Sequence, residues 1–250
     1  MSIRSPFVSR ITLLRDKVPS FESYPFSLPA IVQFRQLNPH PKITFFIGEN
    51  GSGKSTLLEA IAVALGFNAE GGSKNFSFNT HPSHSVLYEY LRIARGFPKP
   101  RTGFFLRAES FFNVASEIEN LDEDPTAGPP IKLSYGGRSL HAQSHGESFM
   151  SLLQHRFSDK GLYILDEPEA ALSPQRQLAA LARMHELVQG GSQFLIATHS
   201  PILMAYPDAD IYQFDESGIS KIAYEDTDHF NITRNFLANP QRMLDILMGE

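Results

Sequence analysis

The segment "GENGSGKST", Gly48–Thr56, decides the fold of this chain because it matches the pattern G-x-x-x-x-G-K-[ST]. It follows "KITFFI" (42–47), a short run of β-branched and aromatic residues that predicts a buried strand. It leads into "STLLEAIAVAL" (55–65), a strong helix-forming segment that stops at Gly66. A glycine-rich turn between a strand and a helix directs backbone N–H groups and a helix N-terminus at an anion. The sequence therefore predicts a phosphate-binding loop.

The residue types of this loop also predict what it binds. Lys54 is expected to reach the β- and γ-phosphates of ATP, and the Ser55 hydroxyl is expected to be a ligand of Mg²⁺. ATP and Mg²⁺ are thus the predicted cofactors. The predicted nucleotide-binding residues of the loop are Gly48, Asn50, Gly51, Ser52, Gly53, Lys54, Ser55 and Thr56.

Two further apolar segments, which predict buried strands, are each followed by polar residues. "LYILDEPEAALSP" (162–174) places Asp166 where it can hold Mg²⁺, and Glu167 where it can orient and activate the attacking water. "IATHSP" (196–201) ends the next predicted strand with His199, whose ring we expect to point at the γ-phosphate. Lys54, Glu167 and His199 are the predicted catalytic residues.

With "SHGE" (144–147) between the loop and the acidic strand, the order of these motifs resembles the ABC-type ATPase superfamily. The likeness covers about residues 42–205 and is greatest to small stand-alone bacterial ATPases related to SMC, RecF and OLD-type heads. The signature of that superfamily reads L-S-G-G-Q or L-S-G-G-E. Ser144, Gly146 and Glu147 match it, whereas Gln143 and His145 depart from it. The resemblance implies that the three matching residues contact the γ-phosphate.

The resemblance also implies a head-to-tail ATP sandwich, in which the signature of one chain completes the ATP site of a second copy. The implied function is an ATPase switch that controls an unidentified protein effector or a DNA-linked complex. The alternative is the nucleotide-binding subunit of an ABC transporter. The glutamate that ends the signature favours the switch.

Three positions that the resemblance implies are less well matched. The segment "PEAALS" (168–173) resembles the D-loop, with Ser173 where an aspartate is common. The glutamine loop falls on "FFLRAES" (104–110), where Glu109 is a weak candidate metal ligand and Arg107 or Ser110 could equally face the site. The aromatic residue that stacks on adenine is Tyr24 or Phe26.

Strands that alternate with helices predict an α/β P-loop NTPase with a mostly parallel central sheet, an antiparallel β subdomain and a helical signature subdomain. One domain is expected over 1–250, with 1–66 and 159–225 as the nucleotide-binding core. Residues 67–158 are the predicted inserted region, and 226–250 the predicted helical tail. Within the insertion, "HSVLYEYLRIAR" (84–95) and "FFNVASEIENL" (111–121) predict helices. Residues 211–224 predict a hairpin that turns at Ser217-Gly218.

Composition excludes several classes of protein. The chain has no cysteine, so a disulfide framework or a thiolate metal site is impossible. Its net charge of −5 argues against nonspecific binding of nucleic acid, so DNA stays a possible partner without support from charge. No apolar run approaches the roughly 18 residues of a membrane helix, and we expect a cytoplasmic protein. The segment from Lys54 to Ser144 is expected to be too short for a long coiled coil, and the segment after His199 too short for a nuclease domain.

Overall fold

The computed structural model describes residues 5–73, 85–107 and 142–249, together with positions 116, 119, 122, 133, 135 and 137. The strands are β1 (Val8–Leu13), β2 (Gln36–Leu37), β3 (Ile43–Gly48), β4 (Leu91–Arg95), β5 (Thr102–Arg107), β6 (Gly161–Asp166), β7 (Gln193–Ala197), β8 (Ala209–Asp215) and β9 (Gly218–Ile222). The α-helices are α1 (Pro29–Gln33), α2 (Lys54–Ala64), α3 (His145–Ser151), α4 (Pro174–Gln189), α5 (Pro201–Met204), α6 (Asp228–Ala238) and α7 (Pro240–Met248).

The central sheet has six strands in the order β5-β6-β7-β3-β8-β9. Every neighbouring pair from β5 to β8 is parallel, and only β9 runs antiparallel, as the second arm of a hairpin with β8. Parallel pairing places the carboxyl ends of β3, β6 and β7 at one edge, where open α/β sheets bind their ligands. The predicted mostly parallel sheet is confirmed.

A second, three-stranded sheet has the order β2-β1-β4 and is antiparallel throughout. It confirms the predicted antiparallel β subdomain. The helix predicted over 84–95 is wrong, because this segment forms a 3₁₀ helix, Val86–Tyr90, followed by β4. Pairing of β4 with β1 along Leu13↔Leu91 and Ile11↔Ile93 outweighs the helical spacing of its apolar residues.

Hydrophobic clusters cover both faces of the central sheet. Alternate residues of β3 point to opposite clusters: Phe45 packs on the α4 side with Met184, whereas Phe46 packs on the α2 side with Leu58 and Ile61. Burial on both faces explains why the sequence of β3 is a continuous apolar run rather than an alternating one. The cluster on the α2 side fixes this helix, and with it the phosphate loop, relative to the sheet.

The remaining predicted elements follow the sequence closely. The segment after the signature forms α3 and then a π-helix, Leu152–Arg156, and the predicted hairpin is β8–β9. The tail after Asp226 is helical in α6 and α7. The helix predicted over 111–121 lies largely outside the described residues. Strands β4 and β5 come from the range 67–158 and pair within the two sheets, and the division into core and insertion stays a prediction.

Candidate nucleotide-binding and hydrolysis site

The phosphate loop has a backbone that only glycine adopts without strain. Gly48, Gly51 and Gly53 have φ angles of 139°, 81° and 99°. A Cβ atom on Gly48 would also overlap the carbonyl oxygen of Phe214 on the neighbouring strand β8. The glycines therefore allow the chain to leave β3 beside β8 and turn at once into α2.

Lys54 is the first residue of α2 and is 3% exposed. Its ammonium group folds back over the loop and donates hydrogen bonds of 2.8 Å to the carbonyl oxygens of Gly48 and Glu49. Burial lowers the pKa of Lys54, and the nearby carboxylates of Glu167 and Asp166 oppose that shift. The ammonium is thus held at the loop, where it can exchange carbonyl oxygens for phosphate oxygens.

Ser55 and Asp166 meet across the carboxyl ends of the sheet. The Ser55 hydroxyl donates a 2.9 Å hydrogen bond to Oδ1 of Asp166, which ends β6 and is 7% exposed. No group of three or more His, Asp or Glu that could hold a metal occurs in the part of the chain that the structure describes. Hydroxyl and carboxylate oxygens suit Mg²⁺, which commonly takes one or two protein ligands and completes its shell with water and substrate phosphates. The pair therefore fits Mg²⁺ bound together with a nucleotide.

Glu167 follows β6 in a left-handed backbone conformation, with φ 51° and ψ 51°. Its N–H donates a 2.9 Å bond to the carbonyl oxygen of Ala197 at the end of β7. Its carboxylate lies with one oxygen 3.7 Å from Nε2 of His199. A non-glycine residue in this conformation is strained, and such strain is often found at functional sites.

His199 is held through its backbone N–H and through Nδ1 of its ring. Its N–H donates a 2.6 Å hydrogen bond to Oε1 of Glu169, and Nδ1 lies 3.2 Å from Nε2 of His229. Nε2 is buried and has no hydrogen-bond partner among the described residues. Burial lowers the pKa of both histidines, and the charge of Lys54 lowers that of His199 further. Two neutral imidazoles therefore meet beside the loop, and one of them has an unused polar atom.

The predicted signature is built around a helix start. Ser144 caps α3, and Glu147 completes a capping box in which its carboxylate accepts a 2.9 Å bond from the Ser144 N–H. A Cβ atom on Gly146 would overlap the Arg176 guanidinium group and the Ala171 carbonyl oxygen. Glycine is therefore needed at Gly146, whereas Ser144, His145 and Glu147 are exposed. His145 replaces a signature glycine without a clash because its side chain is on the surface.

Buried polar contacts connect the segment after Glu167 with the segment after His199. Gln177 on α4 donates a 3.0 Å bond to the carbonyl oxygen of Leu172, and its Oε1 accepts a bond from the Ser200 hydroxyl. Ser173, at the predicted D-loop position, caps α4 through the N–H of Arg176. The predicted D-loop segment and the segment after His199 are thus linked through the side chain of Gln177.

The structure separates some of the alternatives that the sequence leaves open. Tyr24 is 64% exposed and its hydroxyl lies 3.5 Å from that of Thr56, whereas Phe26 is 2% exposed and packs against Tyr90. Of these two candidates, Tyr24 is therefore the one whose ring is exposed. Arg107 forms an ion pair with Glu59 on α2. Glu109 and Ser110 lie outside the described residues.

The structure brings together five of the predicted residues at one sheet edge: Lys54, Ser55, Asp166, Glu167 and His199. Of the predicted signature residues, Ser144 and Glu147 are exposed beside Arg176, and Gly146 is buried against it. Sequence reasoning missed Glu169, Gln177 and His229. Glu169 could have been noticed as a third carboxylate directly after the acidic strand. Gln177 and His229 carry no such signal, because a single polar residue in a helix is most often on the surface.

Two family models match separate segments of the chain. Residues 21–119 match the family model "AAA domain", and residues 146–205 match an AAA domain whose description names the AbiEii toxin of a type IV TA system. The tungstate uptake system ATP-binding protein TupC of Campylobacter jejuni is 25% identical over 81% of this chain and 67% of its own length. The hemin import ATP-binding protein HmuV of Bartonella quintana is 25% identical over 66% of this chain and 68% of its own.

One of the solved structures that resemble the chain is a metal-chelate type ABC transporter in an inward-facing conformation. It has a TM-score of 0.48 and is 16% identical in sequence, and the match covers 91% of this chain and 88% of that chain. The SMC head domain from Thermotoga maritima has a TM-score of 0.44 at 15% identity over 86% of this chain and 99% of that chain. Both scores lie below 0.5, so the fold assignment rests on the sheet order and the phosphate loop of this chain. These features are those of a P-loop NTPase fold, and the two matching AAA domain models support ATPase activity.

Proposed function

We propose that the chain is a Mg²⁺-dependent ATPase whose ATP-bound form is a head-to-tail homodimer. In this proposal, ATP joins two copies, hydrolysis releases them, and the change acts as a switch for a partner protein or a DNA-linked complex. The net charge of −5 gives no support to a direct role for DNA, so a protein effector is the favoured partner. Within the described residues, no helix combines the length and apolar character needed to cross a membrane. A cytoplasmic location belongs to the proposal.

Within one chain, the residues at the sheet edge divide the work of phosphoryl transfer. Lys54 neutralises charge on the β- and γ-phosphates, and Ser55 and Asp166 are placed to hold Mg²⁺. When bound, Mg²⁺ supplies further neutralisation of the phosphate oxygens. Glu167 orients and deprotonates the attacking water. Nε2 of His199 is buried and has no hydrogen-bond partner among the described residues, so it has the freedom to bond an oxygen of the γ-phosphate.

The observation that carries the proposed dimer is the exposed edge of the signature. Ser144, His145 and Glu147 are open to solvent, whereas Gly146 packs against Ala171, four residues after Glu167. If the γ-phosphate of ATP bound to a second copy contacts Ser144, it lies at the start of α3. The start of α3 packs against the predicted D-loop of its own chain through Gly146 and Ala171. This arrangement supports a site in which ATP bound to one copy contacts a segment close to Glu167 of the other copy.

The dimer is tested with the substitution Glu167→Gln, which keeps the size of the side chain and removes its basic oxygen. We expect the variant to bind ATP and Mg²⁺ without turnover and to run as a dimer in size-exclusion chromatography with light scattering. Adding Ser144→Arg to the same variant should retain ATP binding and return the chain to a monomer, because the exposed signature is blocked. A Glu167→Gln chain that is saturated with ATP and remains monomeric would refute the sandwich.

A transporter subunit is the second candidate function, and the observation that favours it is the naming of TupC and HmuV as ATP-binding proteins of uptake and import systems. The second domain model, which names a toxin, favours the switch. Affinity capture with the trapped Glu167→Gln variant in ATP separates the two. Recovery of a multi-span membrane protein would favour the transporter, and recovery of a small effector protein would favour the switch.

A further inference from the structure

The ring of His199 has a second histidine as its neighbour, and that neighbour comes from the tail of the chain. His229 is the second residue of α6, and its Nε2 lies 3.2 Å from Nδ1 of His199. The two ring centroids are 5.4 Å apart and the rings are tilted by 50°. The contact is therefore made edge to edge, as a hydrogen bond between imidazoles requires.

The chemistry of the pair sets the direction of this bond. Two neutral imidazoles can share a hydrogen bond only if one donates and the other accepts. The Glu167 carboxylate lies 3.7 Å from Nε2 of His199 and favours a proton on that nitrogen. Nδ1 of His199 is then the acceptor, and the Nε2–H of His229 is the donor. The other charged groups that act on the pair are Lys54, Glu49 and Asp228.

The start of α6 is fixed well enough to hold a ring in place. Thr227 is fully buried, caps α6 through the N–H of Phe230, and donates a 2.8 Å bond to the carbonyl oxygen of Tyr224. The Tyr224 hydroxyl in turn donates a 2.9 Å bond to the carbonyl oxygen of Pro201, two residues after His199. The tail helix is thus anchored to the same segment whose histidine it contacts.

His229 also borders the phosphate loop. It lines a pocket of about 370 Å³ together with residues 48–52 of the loop, the β8–β9 turn and Asp228. The side chain is half-buried. A residue that contacts both His199 and the surroundings of the loop is well placed to fix the orientation of His199 when a nucleotide is bound.

We propose that His229 is a positioning residue for ATP hydrolysis: its Nε2–H holds His199 in the tautomer that carries a proton on Nε2 and faces the γ-phosphate. This inference rests on the proposed role of His199 in hydrolysis. It makes the first turn of α6, from the tail of the chain, a part of the hydrolytic site. The pairing is comparable to the second partner that fixes the tautomer of a catalytic histidine in other enzymes.

Activity tests the proposal through a set of three variants in α6. His229→Ala should lower kcat about tenfold, the worth of one hydrogen bond, with KM changed less than twofold because ATP contacts are unaltered. His229→Gln should recover most of kcat, since the glutamine amide can donate from a similar position. Ile232→Ala, an exposed site on the same helix, is the matched control and should behave as the parent chain.

Long-range ¹H–¹⁵N spectra of the histidine rings test the tautomer without any turnover. In the parent chain at pH 7.5 we expect His199 to be protonated on Nε2, and His229→Ala to shift it to a mixture of tautomers. A parent chain with the proton of His199 on Nδ1 would overturn the proposal, even if His229→Ala failed to fold. A parent chain that hydrolyses ATP and an equally active His229→Ala would also overturn it. A parent chain without ATPase activity would instead refute the proposed function.

Discussion

Ser200→Ala is a perturbation whose cost can be worked from the contacts of one hydroxyl. The Ser200 hydroxyl donates to Oε1 of Gln177 and also accepts the N–H of Leu203 at the start of α5. Both side chains are buried, with 6% and 8% of their surface exposed. Removing the hydroxyl leaves an unpaired amide oxygen, at a cost of about 1–3 kcal/mol, and removes a helix cap worth about 1 kcal/mol.

The sum predicts a loss of about 2–4 kcal/mol in the free energy of unfolding, which corresponds to a fall in Tm of about 5–15 °C for a chain of this size. Urea unfolding followed by circular dichroism measures it. Ser173→Ala is the matched control, because it also removes a serine cap but from an exposed position, and should cost about 1 kcal/mol or less. A Ser200→Ala chain no less stable than Ser173→Ala would refute this reasoning.

A double-mutant cycle shows whether the lost stability comes from the bond to Gln177. Gln177→Met leaves the Ser200 hydroxyl and the Leu172 carbonyl oxygen without their partner. Because both single variants break the same bond, the double variant should be more stable than the sum of the two losses predicts, by about 0.5–2 kcal/mol. If the losses of stability in the two single variants are additive in the double variant, the effect of Ser200→Ala comes from the helix cap and not from the bond to Gln177.

Three further predictions concern the loop, the signature and the histidine pair. Lys54→Ala should weaken ATP binding, measured by calorimetry, about 10–100-fold because charged hydrogen bonds are lost. Lys42→Ala removes an exposed ion pair with Asp208 and should leave the affinity for ATP unchanged. Equal affinity for ATP in the two variants would refute the site. Gly146→Ala should lower the free energy of unfolding by about 1–3 kcal/mol, because the added Cβ overlaps Arg176 and Ala171. His145→Ala, on the exposed surface, should lower it little. Similar losses of stability in thermal unfolding would contradict this packing. Burial lowers the pKa of His229 in the folded chain, so the unfolded chain binds a proton at this residue more readily as pH falls below about 6.5. The free energy of unfolding should therefore fall with pH, by less than about 1.4 kcal/mol per pH unit for this group. The fall between pH 7.5 and 5.5 should be smaller in His229→Gln, and an equal fall would show that His229 titrates normally.

The parts of the site that the sequence predicts are those where one short segment holds all the chemistry. The phosphate loop places strand, glycines, Lys54 and helix within a single stretch, so its local geometry follows from the order of its residues. Asp166 ends β6, Glu167 follows it directly, and His199 lies two residues after the end of β7. Parallel pairing of those strands is enough to bring them to one edge.

The parts that the sequence misses depend on contacts between distant segments. The segment over 84–95 has helical spacing, yet β4 forms because β1 offers a complete row of pairing partners. His229 joins the site only because Thr227 and Tyr224 anchor α6 beside the segment of His199. The choice between Tyr24 and Phe26 depends on which ring the core buries. Neither spacing nor residue type reveals these arrangements.

The central claim, that a second copy completes each ATP site, is tested most directly by mixing two inactive chains. Lys54→Ala has a defective phosphate loop and an intact signature, whereas Ser144→Arg has an intact loop and a blocked signature. If the sites are shared, a mixed dimer contains one complete site, and an equimolar mixture should recover up to about a quarter of the parent ATPase rate. A mixture as inactive as its two components, with both chains folded, would contradict the account.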